Sequence, residues 1–329
     1  MSKQPAFRLY EGDGKTLHDR GGKLPPFEQL PRLHDPTFYR PDEGLKNAVN
    51  VALALGQPLL VTGEPGTGKT ELAGSIAHEL GLGDPLVFHT STTSTARDLF
   101  YRYDMLGHFH ASQFREEPPA VDSFISYEAL GLAILLAMDP PKANPFLPES
   151  FKNKGPRRSV VLIDEIDKAP RDLPNDVLNE IEHLTFTVKE TGREFRAEPR
   201  YRPIVVLTSN SEQNLPDAFL QRCVFYHVAF PGTKELKEIA KLRLGGDEAL
   251  PNELLDGAAK HFYKIRDLAL KKKPATAEFL AWVKILKKLP LNPNRIEPKE
   301  KDALKLTYAV LAKTIEDQAK MEEHLDRPA

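Results

Sequence analysis

The segment that most constrains the fold of this chain is Gly63–Thr70, whose sequence Gly-Glu-Pro-Gly-Thr-Gly-Lys-Thr matches the pattern G-x-x-x-x-G-K-[ST]. It follows the apolar run 58–61, which is typical of a strand, so a strand, a tight loop and a helix are expected in succession. Such a loop points backbone N–H groups at a polyphosphate, and the helix dipole adds positive potential. We expect Lys69 to neutralise the outer phosphates and Thr70 to hold Mg²⁺. The predicted nucleotide-binding residues are Gly63, Glu64, Pro65, Gly66, Thr67, Gly68, Lys69, Thr70 and Glu71.

The composition is that of an ordinary globular chain. Of its 329 residues, 40% are apolar and 28% are charged, which suits one large or two modest domains. The net charge of -2 gives no general attraction to nucleic acid or to anionic membranes. The only cysteine, Cys223, excludes an internal disulfide framework and is expected to be a packing residue, in agreement with a reducing cytosol. The apolar run 129–138 is too short to span a bilayer, and residues 1–5 lack the apolar core of a signal peptide. We therefore predict a cytoplasmic protein without membrane insertion.

The order of apolar segments predicts an α/β fold followed by a small all-α domain. Between residues 36 and 230, short apolar strands alternate with helical patterns, which indicates a parallel sheet flanked by helices. After residue 230 the sequence becomes charged and helix-rich, so we predict a helical domain over 231–329. Residues 1–35 are rich in proline, glycine and charge. Two interpretations stay open for them, an extended N-terminal arm and a disordered tail.

Polar residues follow two further apolar strands. Val160–Ile163 leads directly into Asp164 and Glu165, and Ile204–Thr208 leads through one serine to Asn210. Because ligands of a parallel sheet gather at the carboxyl ends of its strands, we expect these side chains to meet the glycine-rich loop at one edge. Asp164 can then join the Mg²⁺ shell, Glu165 can polarise an attacking water, and Asn210 can orient that water or the γ-phosphate. A strand that merely ends in acidic residues and a turn role for Asn210 are the alternatives.

Together with the segment 215–223, Leu-Pro-Asp-Ala-Phe-Leu-Gln-Arg-Cys, these motifs resemble the AAA+ ATPases and specifically their MoxR-like branch. The resemblance extends over about residues 36–290 and implies an AAA+ P-loop NTPase fold with ATP and Mg²⁺ as cofactors. It implies that Asn210 takes the sensor-one position and that Arg222 is the arginine finger, which acts on the nucleotide of a neighbouring subunit. A guanidinium stabilises the charge that spreads over the transferred phosphoryl group, so this role implies a ring, usually of six copies. An ordinary surface ion pair is the alternative for Arg222.

Two segments resemble inserts of this branch. Aromatic and polar residues partly alternate around Gly107 over 99–112, which predicts a β-hairpin similar to the helix-two insert. The segment 185–197, which turns at Thr191-Gly192, resembles the pre-sensor hairpin. The resemblance implies that both inserts face a central pore or a bound partner. Local packing is the alternative for the aromatic residues Tyr101, Tyr103 and Phe109.

The predicted helical domain departs from the family pattern. Family members often carry an arginine near the start of a helix of this lid, the sensor-two position, and the corresponding segment 273–279 contains none. In one interpretation Lys273 or Arg266 replaces that arginine as a γ-phosphate sensor, and in the other interpretation turnover of ATP is slow. The domain also carries lysines that can contact nucleic acid or an acidic partner, although a solvated face is the favoured interpretation. They are Lys264, Lys271, Lys272, Lys273, Lys284, Lys287 and Lys288.

These motifs lead to one main functional hypothesis. We expect Mg²⁺-dependent ATP hydrolysis in a ring of identical subunits, coupled to remodelling of a protein partner. Resemblance to MoxR-like proteins implies a partner with a von Willebrand factor A domain, or a maturation client. A nucleotide-gated scaffold with little turnover is the first alternative. A motor subunit acting on nucleic acid is the second, and the nearly neutral net charge speaks against it.

Overall fold

The computed structural model describes residues 35–113, 119–211, 215–244, 250–289, 291–293 and 295–327. These residues divide into two compact units. The first is Tyr39–Phe230, and the second contains the described residues from Pro231 onward together with 35–38. The arm predicted over 1–35 lies outside the described residues except for its last residue.

The first unit is built from strands and helices that alternate along the chain. Its strands are β1 Leu59–Gly63, β2 Leu86–His89, β3 Tyr101–Tyr103, β4 Ile125–Tyr127, β5 Val160–Asp164, β6 Thr185–Val188, β7 Arg193–Arg196, β8 Ile204–Ser209 and β9 Val224–Val228. Its helices are α1 Glu43–Leu55, α2 Glu71–Glu79, α3 Met105–Gln113, α4 Ala129–Leu136, α5 Pro140–Ala143, α6 Leu173–His183 and α7 Asp217–Leu220.

Five of these strands form one parallel sheet in the order β2-β5-β8-β1-β9. Strands β1 and β5 are buried at every residue, which explains why both are continuous apolar runs rather than alternating ones. The prediction of an α/β fold with a parallel sheet flanked by helices is confirmed.

Alternate residues of the central strands point into two separate hydrophobic cores, as the period-two geometry of a strand requires. Leu60, Val161 and Leu207 lie in the core that contains residues of α4 and α6. Leu59 and Leu162 lie in the opposite core, which contains residues of α1 and α2. The sheet is therefore a middle layer between helices, and its strand ends are held rigidly from both faces.

The segment 99–112 does not form the predicted hairpin around Gly107. Strand β3 is followed at once by helix α3, and its antiparallel partner is the later strand β4. The side chain of Asp104 accepts a hydrogen bond from the backbone N–H of Gly107 at 2.8 Å, as a helix N-cap does. The alternation of aromatic and polar residues is too short to distinguish a strand from a helix. The hydrogen bond from the Asp104 cap favours the helix.

The segment 185–197 does contain a hairpin, formed by β6 and β7 with Phe186 opposite Phe195. Their rings stack with centroids 5.0 Å apart. Phe100 stacks on Phe186 at 5.3 Å, and Tyr127 meets Phe195 edge to face at 5.6 Å. This aromatic cluster joins the β3–β4 pair to the β6–β7 hairpin. Tyr101 is only 2% exposed and is a packing residue. Phe109 on α3, in contrast, is 58% exposed.

The second unit is helical in its described part. Its helices are α8 Thr233–Leu244, α9 Asn252–Arg266, α10 Thr276–Lys288, α11 Lys301–Leu311 and α12 Ile315–Asp326. Trp282 is fully buried at its centre and donates a hydrogen bond to Thr307 Oγ1 at 2.8 Å. Burial lowers the pKa of the neighbouring His261 to about 4, so this histidine is a neutral core residue. Across the described residues of both units, every helix is too short or too polar to cross a membrane.

Candidate functional site

The glycine-rich loop follows β1 at the point where the strand order of the sheet reverses. Strand β1 lies between β8 and β9, and a crevice at the carboxyl ends of the strands is expected at such a position. Gly63, Gly66 and Gly68 all have positive φ angles, of 147°, 76° and 86°. A Cβ on Gly63 would lie 2.4 Å from the carbonyl oxygen of Val228, so only glycine fits at the start of the loop.

Lys69 lies inside this loop and is only 7% exposed. Its ammonium group donates to the carbonyl oxygen of Gly63 at 2.7 Å, to that of Glu64 at 2.9 Å and to Asn210 Oδ1 at 3.1 Å. Burial lowers the pKa of Lys69, and the carboxylates of Asp167, Asp164, Glu165 and Glu64 oppose that shift. Lys69 is thus a buried donor that points along the mouth of the loop toward the end of β8.

Asp164 is the point at which three elements meet. Its Oδ1 accepts a hydrogen bond from Thr70 Oγ1 at 3.1 Å and one from Thr208 Oγ1 at 2.5 Å. Its Oδ2 lies 3.4 Å from Nδ1 of His89, which is opposite Asp164 in the register of β2 and β5. A threonine hydroxyl beside a carboxylate is a suitable pair of protein ligands for Mg²⁺, which otherwise takes its oxygens from water and phosphate.

No group of three or more His, Cys, Asp or Glu residues in the described part of the chain could hold a metal ion by itself. An ion held jointly by Thr70, Asp164 and the phosphates of a nucleotide does not require such a group. The donor set therefore fits a nucleotide-bound Mg²⁺ ion and does not resemble a closed structural metal site.

Glu165 occupies the left-handed region, with φ 57° and ψ 49°, directly after β5. This conformation is uncommon for a residue other than glycine, and such strain concentrates at functional sites. The backbone N–H of Glu165 donates to Thr208 Oγ1 at 2.9 Å, which secures the turn. The Glu165 carboxylate accepts a short hydrogen bond from Lys168, and this bond is the main cause that raises the pKa of the Lys168 ammonium.

Asn210 follows β8 and faces the loop, since its Oδ1 is the acceptor for Lys69 described above. Its backbone N–H donates to Asp167 Oδ1 at 3.2 Å, which links the end of β8 to the turn after β5. The structure therefore brings Lys69, Asp164 and Asn210 to one edge of the sheet as a group of polar side chains, in which Lys69 bonds to Asn210, and Thr70 and Thr208 bond to Asp164. Three residues of this group were missed as site residues from the sequence, namely His89, Asp167 and Thr208.

Arg222 is not part of that group. It precedes β9, whose first residue, Val224, pairs with Leu59 at the start of β1. Arg222 therefore lies at the amino edge of the sheet, about 15 Å of strand length from the phosphate loop. Its guanidinium donates to Asn179 Oδ1 on α6 at 2.9 Å.

Comparison with known proteins places the fold in a family. The model of the AAA domain, dynein-related subfamily, matches residues 58–223, which is just over half of the chain. This chain belongs to that AAA domain family. The match contains the phosphate loop, the strand end at Asp164 and Glu165, Asn210 and Arg222. Members of the wider AAA+ group bind nucleotide, typically with Mg²⁺, generally hydrolyse ATP, and commonly form rings.

Several solved structures resemble this AAA domain protein. The Thermotoga maritima RuvB Holliday junction branch migration motor is 19% identical, with 84% of this chain and 69% of that chain covered and a TM-score of 0.45. The FIGL-1 AAA domain in complex with ADP is 17% identical, with 88% and 83% covered and a TM-score of 0.42. Domain III of the Thermotoga maritima replication initiation protein DnaA is 16% identical, with 85% and 98% covered and a TM-score of 0.43. No curated protein matches the sequence.

Proposed function

We propose that this AAA domain protein hydrolyses ATP with Mg²⁺ in a ring of identical subunits. One observation carries the proposal, namely the hydrogen-bonded group at the carboxyl edge of the sheet. There three strand ends converge: Lys69 donates to Asn210, and Thr70 donates to Asp164, each at 3.1 Å. Such convergence of a phosphate loop with an acidic strand end is what phosphoryl transfer requires.

Each residue takes a defined part in this proposal. The backbone N–H groups of the loop surround the β- and γ-phosphates, and Lys69 exchanges a carbonyl acceptor for a phosphate oxygen. Thr70 and Asp164 hold the metal side of the nucleotide. The ion itself, when bound, neutralises charge on the transferred phosphoryl group.

Glu165 is the proposed base for the attacking water. Its backbone is held in a strained turn by Thr208, so the carboxylate has a defined position at the end of β5. The water transfers its proton to that carboxylate as its oxygen bonds to the γ-phosphorus, and the bond from the γ-phosphorus to the β–γ bridging oxygen breaks, so that ADP and phosphate are the products. Asn210 orients the water. The Glu165 carboxylate is bonded to Lys168, and this bond must be released before the carboxylate can contact the attacking water.

Arg222 supplies the argument for a ring. Arg222 lies at the opposite edge of the sheet from the phosphate loop of its own chain. Its guanidinium can therefore contact the phosphates of a nucleotide only if that nucleotide is bound to another subunit. A head-to-tail contact of this kind closes into a ring when its rotation closes. We therefore assign Arg222 as the finger that acts in trans, and its bond to Asn179 keeps it in place on α6.

Helix α3 is the proposed binding surface for a protein partner. This helix has no buried residue in its described length, and it exposes Met105 by 65%, Leu106 by 71% and Phe109 by 58%. Adjacent exposed apolar side chains mark a surface for another protein. We place client binding there, in keeping with remodelling of a protein partner by a MoxR-like ring, with a von Willebrand factor A domain protein as one candidate.

A nucleotide switch with little turnover is the second candidate, and one observation favours it. Arg266, considered above as a replacement sensor for the γ-phosphate, is 7% exposed and donates to the carbonyl oxygen of Pro274. That bond stabilises the turn before α10, which is a structural role. If Lys273 does not take the sensor role either, the chain is expected to bind nucleotide well and hydrolyse it slowly.

Steady-state phosphate release per subunit separates the two candidates. The wild-type chain and Glu165→Gln are compared at saturating ATP and Mg²⁺, and nucleotide affinity is measured for both. Turnover by the wild type that is absent in the variant, with affinity retained in both, supports hydrolysis. Equal and negligible release from both chains, with nucleotide still bound, contradicts hydrolysis and leaves the switch.

A further inference from the structure

A cleft of about 370 Å³ opens in the first unit, away from the phosphate loop. Its walls are α6, the turn Ala96–Leu99 and the start of the β6–β7 hairpin. The function proposed above makes no use of it.

The floor of the cleft is a rigid aromatic surface. Phe100, Tyr101 and Phe186 line it and are each no more than 4% exposed. The rings of Phe100 and Tyr101 lie 5.3 Å and 6.4 Å from that of Phe186. The backbone N–H of Lys189 donates to the Tyr101 hydroxyl at 3.0 Å, which fixes the hairpin against this floor. The cleft is therefore preformed.

Glu180 is the unusual residue in this cleft. Its Oε2 is buried and has no hydrogen-bond partner among the described residues. Burial, together with the charge of Asp176 one turn earlier on α6, raises the pKa of Glu180 to about 7. Buried carboxyl oxygens are nearly always paired in native proteins, so an unpaired one that lines an open cleft indicates a missing partner.

The cations near the cleft do not satisfy this carboxyl. Arg97 pairs with Glu190 across the cleft rim at 3.5 Å. Lys189 weakly lowers the pKa of Glu180 but is not within hydrogen-bond distance of Oε2. The other charged residues of the region, Asp176 and Glu190 against Arg97 and Lys189, balance one another, so ionisation of Glu180 would leave one negative charge without a counter-charge.

The cleft is continuous with the surface that carries Arg222. Asn179, which holds the Arg222 guanidinium at 2.9 Å, also lines the cleft beside Glu180. A subunit whose nucleotide receives Arg222 must approach this part of α6. The neighbour that the ring proposal requires therefore lies next to the cleft.

We propose that this cleft receives a basic side chain, an arginine or lysine, from the neighbouring copy of this chain, and that Glu180 is its carboxylate partner. The inference rests on the proposed ring. A guanidinium or ammonium supplies the missing donor, while the aromatic floor accommodates the aliphatic stem and the face of the cation. Glu180 ionises when the cation enters, so each interface gains a buried charge-assisted hydrogen bond.

Sedimentation velocity at increasing protein concentration tests this inference, with Mg²⁺ and a non-hydrolysable ATP analogue present. Glu180→Gln removes the charge with little change of shape. Glu182→Gln is the matched control, because Glu182 is an exposed residue of the same helix that does not line the cleft. We expect the concentration for half-assembly to rise at least about tenfold for Glu180→Gln and to stay unchanged for Glu182→Gln. Nucleotide affinity of the isolated subunit should be the same in all three chains.

The pH dependence supplies a second readout. Assembly of the wild type should strengthen as the pH rises toward about 7 and level off above it, because pairing lowers the pKa of Glu180 and assembly releases a proton only while the unpaired carboxyl is still protonated. The difference between wild type and Glu180→Gln should therefore be larger at the higher pH. Asp176, Arg97, Lys189, Glu190 and Tyr101 also face the cleft region, and they are common to both chains.

Two outcomes overturn the inference, and they differ in what they say of the ring. If the wild type assembles with nucleotide and Glu180→Gln assembles at the same concentration, the cleft does not hold a neighbour's cation, and the ring stands. If the wild type remains a monomer with nucleotide bound at every concentration, the ring fails and this inference fails with it.

Discussion

The two sides of the central sheet differ in how their functional charged side chains are paired. At the carboxyl edge, Lys69 makes three hydrogen bonds, and Asp164 Oδ1 accepts two. On the side that carries Arg222, a buried oxygen of Glu180 has no partner among the described residues. In the proposed function, the first edge is a nucleotide site that one chain builds by itself. The second is proposed as a surface that another chain completes, and this contrast is the structural argument for an assembly.

The largest expected effect is that of Arg222→Ala. If the guanidinium acts on a neighbour's nucleotide, turnover should fall by a factor on the order of 10³ or more. The nucleotide affinity of a single subunit should not change, since Arg222 lies at the far edge of its own sheet. Arg222→Lys is the control, because it keeps the charge and loses the planar fork. Loss of affinity in a dilute, monomeric sample would show that Arg222 acts within its own chain.

Glu165→Gln should lower turnover by a factor on the order of 10² to 10⁴, as expected for loss of a general base. Nucleotide affinity should remain, since the amide keeps the size of the side chain and the phosphate loop is untouched. Rapid-quench measurement of a single turnover checks whether the chemical step is the one affected. An unchanged chemical step would assign the base to another residue.

Thr208→Val tests the hydrogen bonds that hold Asp164 and Glu165 at the carboxyl edge. The substitution removes the hydroxyl that donates to Asp164 and accepts from the Glu165 backbone. We expect the free energy of unfolding to fall by about 1–3 kcal/mol, because buried groups are left unpaired. Mg²⁺ affinity in the presence of nucleotide should fall as well.

Thr62→Val is the matched control for that experiment. Thr62 is fully buried on β1 and bonds to Nδ1 of His227 at 3.0 Å, outside the hydrogen-bonded group around Asp164. Chemical denaturation should show a comparable loss of stability, whereas metal titration should show no change. Equal loss of Mg²⁺ affinity in both variants would mean that Thr208 acts through stability alone.

The smallest expected effect concerns the stability of the single subunit in Glu180→Gln. The folded chain binds the Glu180 proton more tightly than the unfolded chain, since burial raises the pKa to about 7 in the folded state. The unpaired carboxyl therefore costs little stability below its unfolded pKa and progressively more as the pH rises through about 7. The variant should melt at a slightly higher temperature than the wild type above neutral pH, with the difference vanishing near pH 4. A lower melting temperature for the variant would show that Glu180 is a structural residue.

Much of the carboxyl edge could be anticipated from the sequence because its signals are local. A phosphate-loop pattern carries its own strand and helix, and a parallel sheet brings strand ends such as Asp164 and Asn210 together. His89 and Thr208 were not anticipated because their contacts with Asp164 depend on strand order and register. These are properties of the whole sheet.

The inserted strands and the cleft beside α6 depend on contacts between residues that are distant in the sequence, and local sequence patterns do not predict such contacts. The alternation around Gly107 was interpreted as a hairpin, whereas Asp104 caps a helix there and β3 pairs with the distant β4. Glu180 is an ordinary helix residue in the sequence. Its buried oxygen becomes evident only when the hairpin and the turn Ala96–Leu99 pack beside α6.

Mixing Arg222→Ala with Glu165→Gln is the most direct test of whether Arg222 acts on the nucleotide of a neighbouring subunit. Each variant alone should be nearly inactive, one for lack of a finger and the other for lack of a base. In an equal mixture that exchanges subunits, about a quarter of the interfaces join an intact base to an intact finger. We expect ATP turnover then to recover to roughly that fraction of the wild-type rate. If the mixture stays as inactive as its components while subunit exchange is verified, Arg222 does not act across subunits, and the account of a site completed by a neighbour is contradicted.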